Sequence, residues 1–339
     1  MKLLFFNPEQ YINYENEPSN FELRLPILHC GAVSDHKDFI YHREYKQHGR
    51  EEMNRRALYE VQSYRPDLIV YSTGWSKMSI APEVWAQIRG QRIPVYIHLW
   101  DTILNPDANE TMHFMKADYL GVADSVSRYE YYKSMNHSLG LGKKVIFTGG
   151  NNVFTDLIKY TPMAQIYDVV MLGSKEGKRV ELYEYLNEQL PRQGAAFHKF
   201  GGLVDNQKGS AEQGLTDQWV PMETYVQIIN QSKICISSQT AADRYQVKGK
   251  VFEYLACGTL CLTEHNEELK KIVPESCLVY YTDFEDCQRK IMYYLEHEDE
   301  RKEIARRGFE WFHRTYDYKT FWSNFLNAVK SQQIAEGAG

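Results

Sequence analysis

Three shortages narrow what this 339-residue chain can be. Its six cysteines, Cys30, Cys235, Cys257, Cys261, Cys277 and Cys287, form no C-x-x-C pair and sit beside no histidine-rich segment. That excludes a zinc ribbon or a disulfide framework and fits reduced thiols in apolar strands of a cytoplasmic protein. Long apolar runs are missing too. Nothing approaches the roughly 20 residues that span a bilayer, so any membrane contact is expected to be peripheral. The opening Met1-Lys-Leu-Leu-Phe-Phe6 breaks off at Asn7-Pro8 and reads as a first strand rather than a signal peptide. Basic excess is also absent. With 39 Lys and Arg against 45 Asp and Glu the net charge is -6, which excludes a face-wide nucleic-acid footprint.

What is present is enough apolar material, 43% of residues, for two domains with separate cores. Strand-like runs alternate with helical patterns through the first half: Lys2 to Phe6, Asp67 to Tyr71, Val95 to Leu99, Tyr119 to Ala123 and Lys144 to Thr148. Between them, helices are expected around Arg50 to Tyr64, Ile80 to Arg89, Glu110 to Met115 and Ser125 to Met135. Tyr14 to Tyr45 is less regular and is either part of a binding pocket or a long excursion. A second series begins at Tyr167 to Leu172 and continues through a helix near Lys178 to Gln189. It then passes Phe197 to Phe200, Lys233 to Ser237, Thr259 to Thr263 and Leu278 to Tyr281. Such alternation predicts parallel sheets with helices on both faces, hence two Rossmann-like α/β domains facing a cleft. The domains are placed at 1–155 and 165–315, with 316–339 as a terminal helix and tail.

The most informative stretch is Gln246-Val-Lys-Gly-Lys-Val-Phe-Glu-Tyr-Leu-Ala-Cys-Gly258. It reads as a glycine turn with two lysines, a short helix carrying Glu253, and a glycine stop before a buried strand. Lys248, Lys250 and the free N–H groups of the helix start favour a phosphate, while a carboxylate one turn in accepts from sugar hydroxyls. Gly173-Ser-Lys-Glu-Gly-Lys-Arg179 repeats the strand, glycine turn and helix start, adding Gly173, Ser174 and Arg179 as phosphate candidates without a full G-x-G-x-x-G. In the first half, Asp101 and His98 lie at the end of Val95-Tyr-Ile-His-Leu-Trp-Asp101, where open α/β sheets collect ligands. Packing is the competing reading for His98. Gly74, after an earlier strand, lets a backbone approach a ligand closely.

The last hundred residues resemble the C-terminal domain of GT-B glycosyltransferases, closest to the group-1 type with a CgeB-like (spore maturation protein) C-terminus. The resemblance rests on Gln246 to Glu253, Ala256-Cys-Gly258, Leu262-Thr-Glu264, Tyr293 to His297, Glu300-Arg301, Ile304-Ala305, Gly308 and Thr315-Tyr316. It implies transfer of a sugar from a nucleoside-diphosphate sugar to an acceptor hydroxyl on a glycan, lipid-linked or protein acceptor. The alternatives are an epimerase or hydrolase of the same fold, or a binding protein without turnover. The family places the ribose hydroxyls on the position of Glu253 and brings the Gly173 turn to the diphosphate with a basic residue near Lys178 or Arg179; Lys250 and Lys248 are candidates to neutralise the same diphosphate, and Arg244 is a further one. Two departures stand out. Lys250 stands where relatives commonly carry arginine, and Tyr245 occupies the first position of the pair of glutamates found in retaining members. Ser237, Ser238, Gln239 and Thr240 either replace that contact or form an ordinary polar turn. Asp101 is the candidate base for the acceptor hydroxyl. Asp-x-Asp triplets are absent, so no metal or other cofactor is expected, and phosphate charge falls to lysine, arginine and helix ends.

Overall fold

A computed structural model describes residues 1–9, 19–74, 78–100, 117–123, 125–140, 142–173, 177–201, 220–239 and 245–337. The chain divides into two compact units, one comprising Met1–Asn152 with Tyr318–Gly339 and the other Val153–Asp317.

The first unit holds six parallel strands in the order β2-β1-β3-β4-β5-β6. These are β1 (Lys2–Asn7), β2 (Asp35–Ile40), β3 (Leu68–Ser72), β4 (Val95–Leu99), β5 (Tyr119–Val122) and β6 (Lys144–Phe147). Its helices are α1 (Leu25–Leu28), α2 (Tyr41–Tyr64), α3 (Pro82–Gly90) and α4 (Val126–Ser138), plus the chain's last helix. β1, β3 and β4 are continuous hydrophobic runs because both faces of a parallel sheet are covered. One face packs Leu4, Phe6, Ile69, Tyr71 and Ile97 against Met53, Ala57 and Val61 of α2 and Trp85 and Ile88 of α3. Residues 101–116, and with them the expected helix at Glu110 to Met115, lie outside the described residues.

The second unit has five parallel strands in the order β11-β10-β9-β7-β8: β7 (Tyr167–Leu172), β8 (Phe197–Phe200), β9 (Ser232–Ser237), β10 (Leu260–Glu264) and β11 (Val279–Tyr281). The helices are α5 (Arg179–Arg192), α6 (Met222–Asn230), α7 (Gly249–Ala256), α8 (Glu267–Lys270), α9 (Phe284–Glu296) and α10 (Glu298–Thr315). Leu182, Leu186 and Leu190 recur at helical spacing and seal α5 onto Val169, Met171, Ile234 and Ile236. All six cysteines are buried and free.

The terminal segment departs from the expected boundaries. The last helix, α11 (Tyr318–Gly337), belongs to the first unit rather than standing apart. Its Trp322 is fully buried, donates from Nε1 to the Asn151 carbonyl (3.1 Å) and meets Tyr96 edge to face at 5.7 Å. Phe325 packs on Tyr96 and Tyr119, and the Tyr119 hydroxyl donates to Gln332 Oε1 (3.0 Å).

Candidate functional site

In each sheet the chain reverses its winding once, and ligands of open α/β sheets collect beyond the strand ends at such a point. In the second unit that point lies between β7 and β9. Gly173, the first residue after β7, has φ of 104°, a region L side chains rarely occupy. A Cβ built there would stand 2.8 Å from Lys250 Cε, 3.2 Å from Lys250 Nζ and 3.6 Å from Arg179 Nη1. Two cations from the starts of α7 and α5 therefore converge over a bare Cα.

The neighbours explain why these two point there. Arg179 is buried, and its guanidinium bridges the reversal, donating from Nε to Ser238 Oγ (3.1 Å) and from Nη2 to the Ser238 carbonyl (3.0 Å). Lys178, the adjacent basic residue, is paired with Glu264 at the end of β10, whose other oxygen accepts from the Gln239 N–H (3.1 Å). Lys248 donates to Gln246 Oε1 (2.5 Å). The backbone entering α7 is clamped by the Gln239 amide, which exchanges two hydrogen bonds with Gln246 (2.9 and 3.0 Å), and by Asn266 Nδ2 on the Gln246 carbonyl (2.6 Å). Lys250 makes no hydrogen bond among the described residues. It is left to face Gly173.

Glu253 lies in the second turn of α7, not at its exposed start, and is only 2% exposed. Its Oε2 accepts from the Tyr225 hydroxyl, while Oε1 has no partner among the described residues. Burial pushes the carboxyl above its ordinary range, against the opposing charge of Lys250 and the Tyr225 hydrogen bond. A buried carboxylate with a spare oxygen suits a ligand bringing hydroxyl donors, since each bond to the charged form repays part of its desolvation.

Lys199, at the end of β8, carried no expectation from the sequence. It donates to the carbonyls of Gly173, Phe200 and Gly201, knitting the two strand ends together beneath the cations. Tyr245 is 45% exposed just ahead of α7. Ser174, Thr240 and Arg244 lie outside the described residues, as does Asp101.

His98 is enclosed rather than presented. Its ring is fully buried, Nδ1 sits 2.9 Å from the Tyr96 hydroxyl, Trp100 packs on it at 4.3 Å, and burial pushes its pKa down to about 3. The winding reversal of the first sheet, between β1 and β3, instead gathers around Gly74, the glycine named from the sequence, side chains that sequence patterns did not single out. A Cβ on Gly74 would meet Tyr41 Oη at 2.6 Å, His42 Nε2 at 2.9 Å and Pro8 Cβ at 3.0 Å. His42 Nδ1 faces the Glu9 carbonyl at 3.3 Å. A carbonyl only accepts, so Nδ1 carries the proton and Nε2 keeps a lone pair, buried and without a hydrogen-bond partner among the described residues.

Against known proteins, residues 179–327 match a family model described as glycosyl transferase-like. No curated protein matches the sequence. Solved structures share the fold along nearly the whole chain. HepE from Anabaena in complex with UDP-glucose superposes with a TM-score of 0.65 at 15% identity, over 98% of this chain and 100% of its own. Sucrose-phosphate synthase from Thermosynechococcus elongatus gives 0.68 at 11% identity, covering 99% and 100%. UDP-GlcNAc 2-epimerase from Neisseria meningitidis gives 0.57 at 12%, with the same coverage. The architecture is thus α/β with two parallel sheets, the fold of GT-B glycosyltransferases.

Proposed function

We propose that the protein transfers a sugar from a nucleoside-diphosphate sugar to an acceptor hydroxyl. The observation that carries this reading is the convergence over Gly173, at the winding reversal of the second sheet, of Lys250 and Arg179, two residues of the segment matching a glycosyl transferase-like model. As the acceptor oxygen bonds to the anomeric carbon, the bond from that carbon to the diphosphate oxygen breaks, and negative charge builds on the leaving diphosphate. Two fixed cations stabilise that charge more than the ground state. Glu253 Oε1 accepts from the ribose hydroxyls. Asp101 takes the proton of the acceptor hydroxyl, with His42 Nε2 a second basic atom of the first unit. Neutralisation by Lys250 and Arg179 makes a metal unnecessary. The closer kinship, group-1 with a CgeB-like C-terminus, is supported by the run from Gln246 to Tyr316. A cytoplasmic setting, synthesis of glycans or glycoconjugates and a glycan, lipid-linked or protein acceptor complete the proposal. Among the described residues no helix is long and apolar enough to cross a membrane.

Calorimetry with UDP and a panel of nucleotide sugars tests the donor site. Wild type should bind, and Lys250→Met should weaken binding by about 1.5–3 kcal/mol, or roughly 10- to 150-fold. Equal affinity in the variant would remove the site. Likeness to an epimerase structure keeps one second reading open to test: incubation with donor alone should leave it intact, whereas release of an epimer or free sugar without acceptor marks an epimerase or hydrolase. Transfer that persists after exhaustive chelation supports the metal-free reading, and transfer abolished by chelation and restored by Mg²⁺ refutes it.

A further inference from the structure

The opposite end of the second sheet carries a separate cavity of about 250 Å³, lined by Tyr160, Gly258, Leu260, Ala305 and Phe309 with Lys233, Arg301, Lys302 and Arg306. Lys233 and Leu260 sit at the starts of β9 and β10, whereas Ser238 and Glu264 lie at their far ends. Five strand steps of about 3.3 Å put the cavity roughly 17 Å from the diphosphate candidates. It belongs wholly to the second unit.

Three of its four cations already have carboxylates. Lys233 pairs with Asp168 (2.6 Å), Lys302 with Glu298, and Arg306 with both Glu303 (2.8 Å) and Glu310 (2.5 Å). Arg301 differs. It is 3% exposed and, among the described residues, its guanidinium makes one hydrogen bond, from Nη1 to the Tyr294 carbonyl (2.8 Å), and no ion pair. Burial depresses its pKa, against the more distant charges of Glu298 and Asp168. A buried unpaired guanidinium costs several kcal/mol, and the planar fork that remains matches a carboxylate or phosphate. Around it the surface turns apolar: Leu260, Ala305 and the face of Gly258, with the rings of Tyr160 and Phe309 edge to face at 6.0 Å. One helix supplies most of this, since Arg301, Ala305 and Phe309 recur every four residues along α10. The volume is below the roughly 300–1,000 Å³ of pockets for drug-sized ligands, so the ligand is a single ring.

We infer that this cavity is a second ligand site, taking a small organic anion whose acid group pairs with Arg301 and whose ring lies against Tyr160 and Phe309. The acid group is shared by two sources, an aromatic carboxylate and a sugar phosphate. Benzoate and glucose 6-phosphate serve as the two probes, titrated calorimetrically into the full chain with and without saturating UDP. At least one probe should bind in the presence of UDP with its affinity changed less than about threefold. Arg301→Met should weaken that probe at least about tenfold while leaving UDP affinity within twofold, and should raise the melting temperature of the free protein by removing the unpaired charge. Ala305→Leu, which fills the cavity without altering charge, should give the same selective loss. The inference is overturned if neither probe binds, if UDP competes the probe away, or if both variants bind the probe as wild type does. Failure of UDP to bind at all would touch only the donor reading, because these titrations also run without it.

Discussion

Replacing Gly173 with alanine tests the donor site without removing any charged or polar group. The added methyl would stand 2.8 Å from Lys250 Cε and 3.2 Å from its Nζ, so the flexible end of the lysine must yield. Moving the ammonium from about 3 to about 5 Å from a phosphate oxygen, at an effective dielectric near 20, loses about 2 kcal/mol, or roughly 30-fold in affinity. The backbone contributes separately. Alanine at φ of 104° costs about 1–2 kcal/mol. For a unit of this size that lowers the melting temperature by roughly 2–8 °C. Calorimetric titration of UDP measures the first effect and differential scanning calorimetry the second. The double variant Gly173→Ala/Lys250→Met decides the mechanism. If the methyl acts by displacing Lys250, the double variant should bind within about 0.5 kcal/mol of Lys250→Met alone. A Gly173→Ala variant with reduced melting temperature but unchanged UDP affinity would refute the geometry, as would full additivity in the double variant.

Glu253→Gln is expected to weaken UDP about tenfold while stabilising the free protein at neutral pH. The folded carboxyl titrates above the unfolded one, so the native state holds the extra proton between the two values and stability falls as pH rises through that window. A pH series of melting temperatures should show this fall in wild type and lose it in the variant. His42 has the opposite sense: its pKa drops to about 4 from 6.5 on folding, so the unfolded chain takes the proton first on acidification. Its share, about 3 kcal/mol, is present above pH 6.5 and lost as pH falls toward 4. His42→Asn should flatten that limb of a denaturation series, and an unchanged acid limb would contradict the buried neutral ring. Deleting 318–339 should destabilise the first unit by more than about 5 kcal/mol, from loss of Trp322, Leu326 and Val329, while residues 153–317 keep their melting transition. One broad transition lost in common would refute the two-unit division.

Much of the fold was legible because parallel strands buried on both faces spell themselves as apolar runs. Val95–Leu99 and Tyr167–Leu172 lie where the pattern puts them. β2 was not legible: Asp-His-Lys-Asp-Phe-Ile is an edge strand with an exposed polar start, and no periodicity marks it. Gly49, with φ of 77°, interrupts α2, so only the half from Arg50 onward read as helix. Local chemistry placed Lys250, Arg179 and Gly173 as candidates, since a glycine turn before a helix needs no tertiary information. Their convergence, and the diversion of Lys178 to Glu264, depend on which strand ends are neighbours. The burial of Glu253, the contacts of Lys199 and the enclosure of His98 arise from packing between segments distant in sequence. The charged run from Tyr294 to Ile304 reads as a solvated helix face, and its outer side is one. Its inner stripe, Arg301, Ile304 and Ala305, is buried.

The return of α11 to the first unit makes that unit discontinuous and leaves Val153–Asp317 as one uninterrupted stretch. Synthesis from the N-terminus therefore completes the second unit first. Until Tyr318–Gly337 emerges from the ribosome, the aromatic surface of Tyr96 and Tyr119 lacks the cover that Trp322 and Phe325 give it. The first unit is the last to finish folding, and a nascent chain stalled short of Tyr318 would expose an apolar sheet face to chaperones while the Val153–Asp317 unit is already complete.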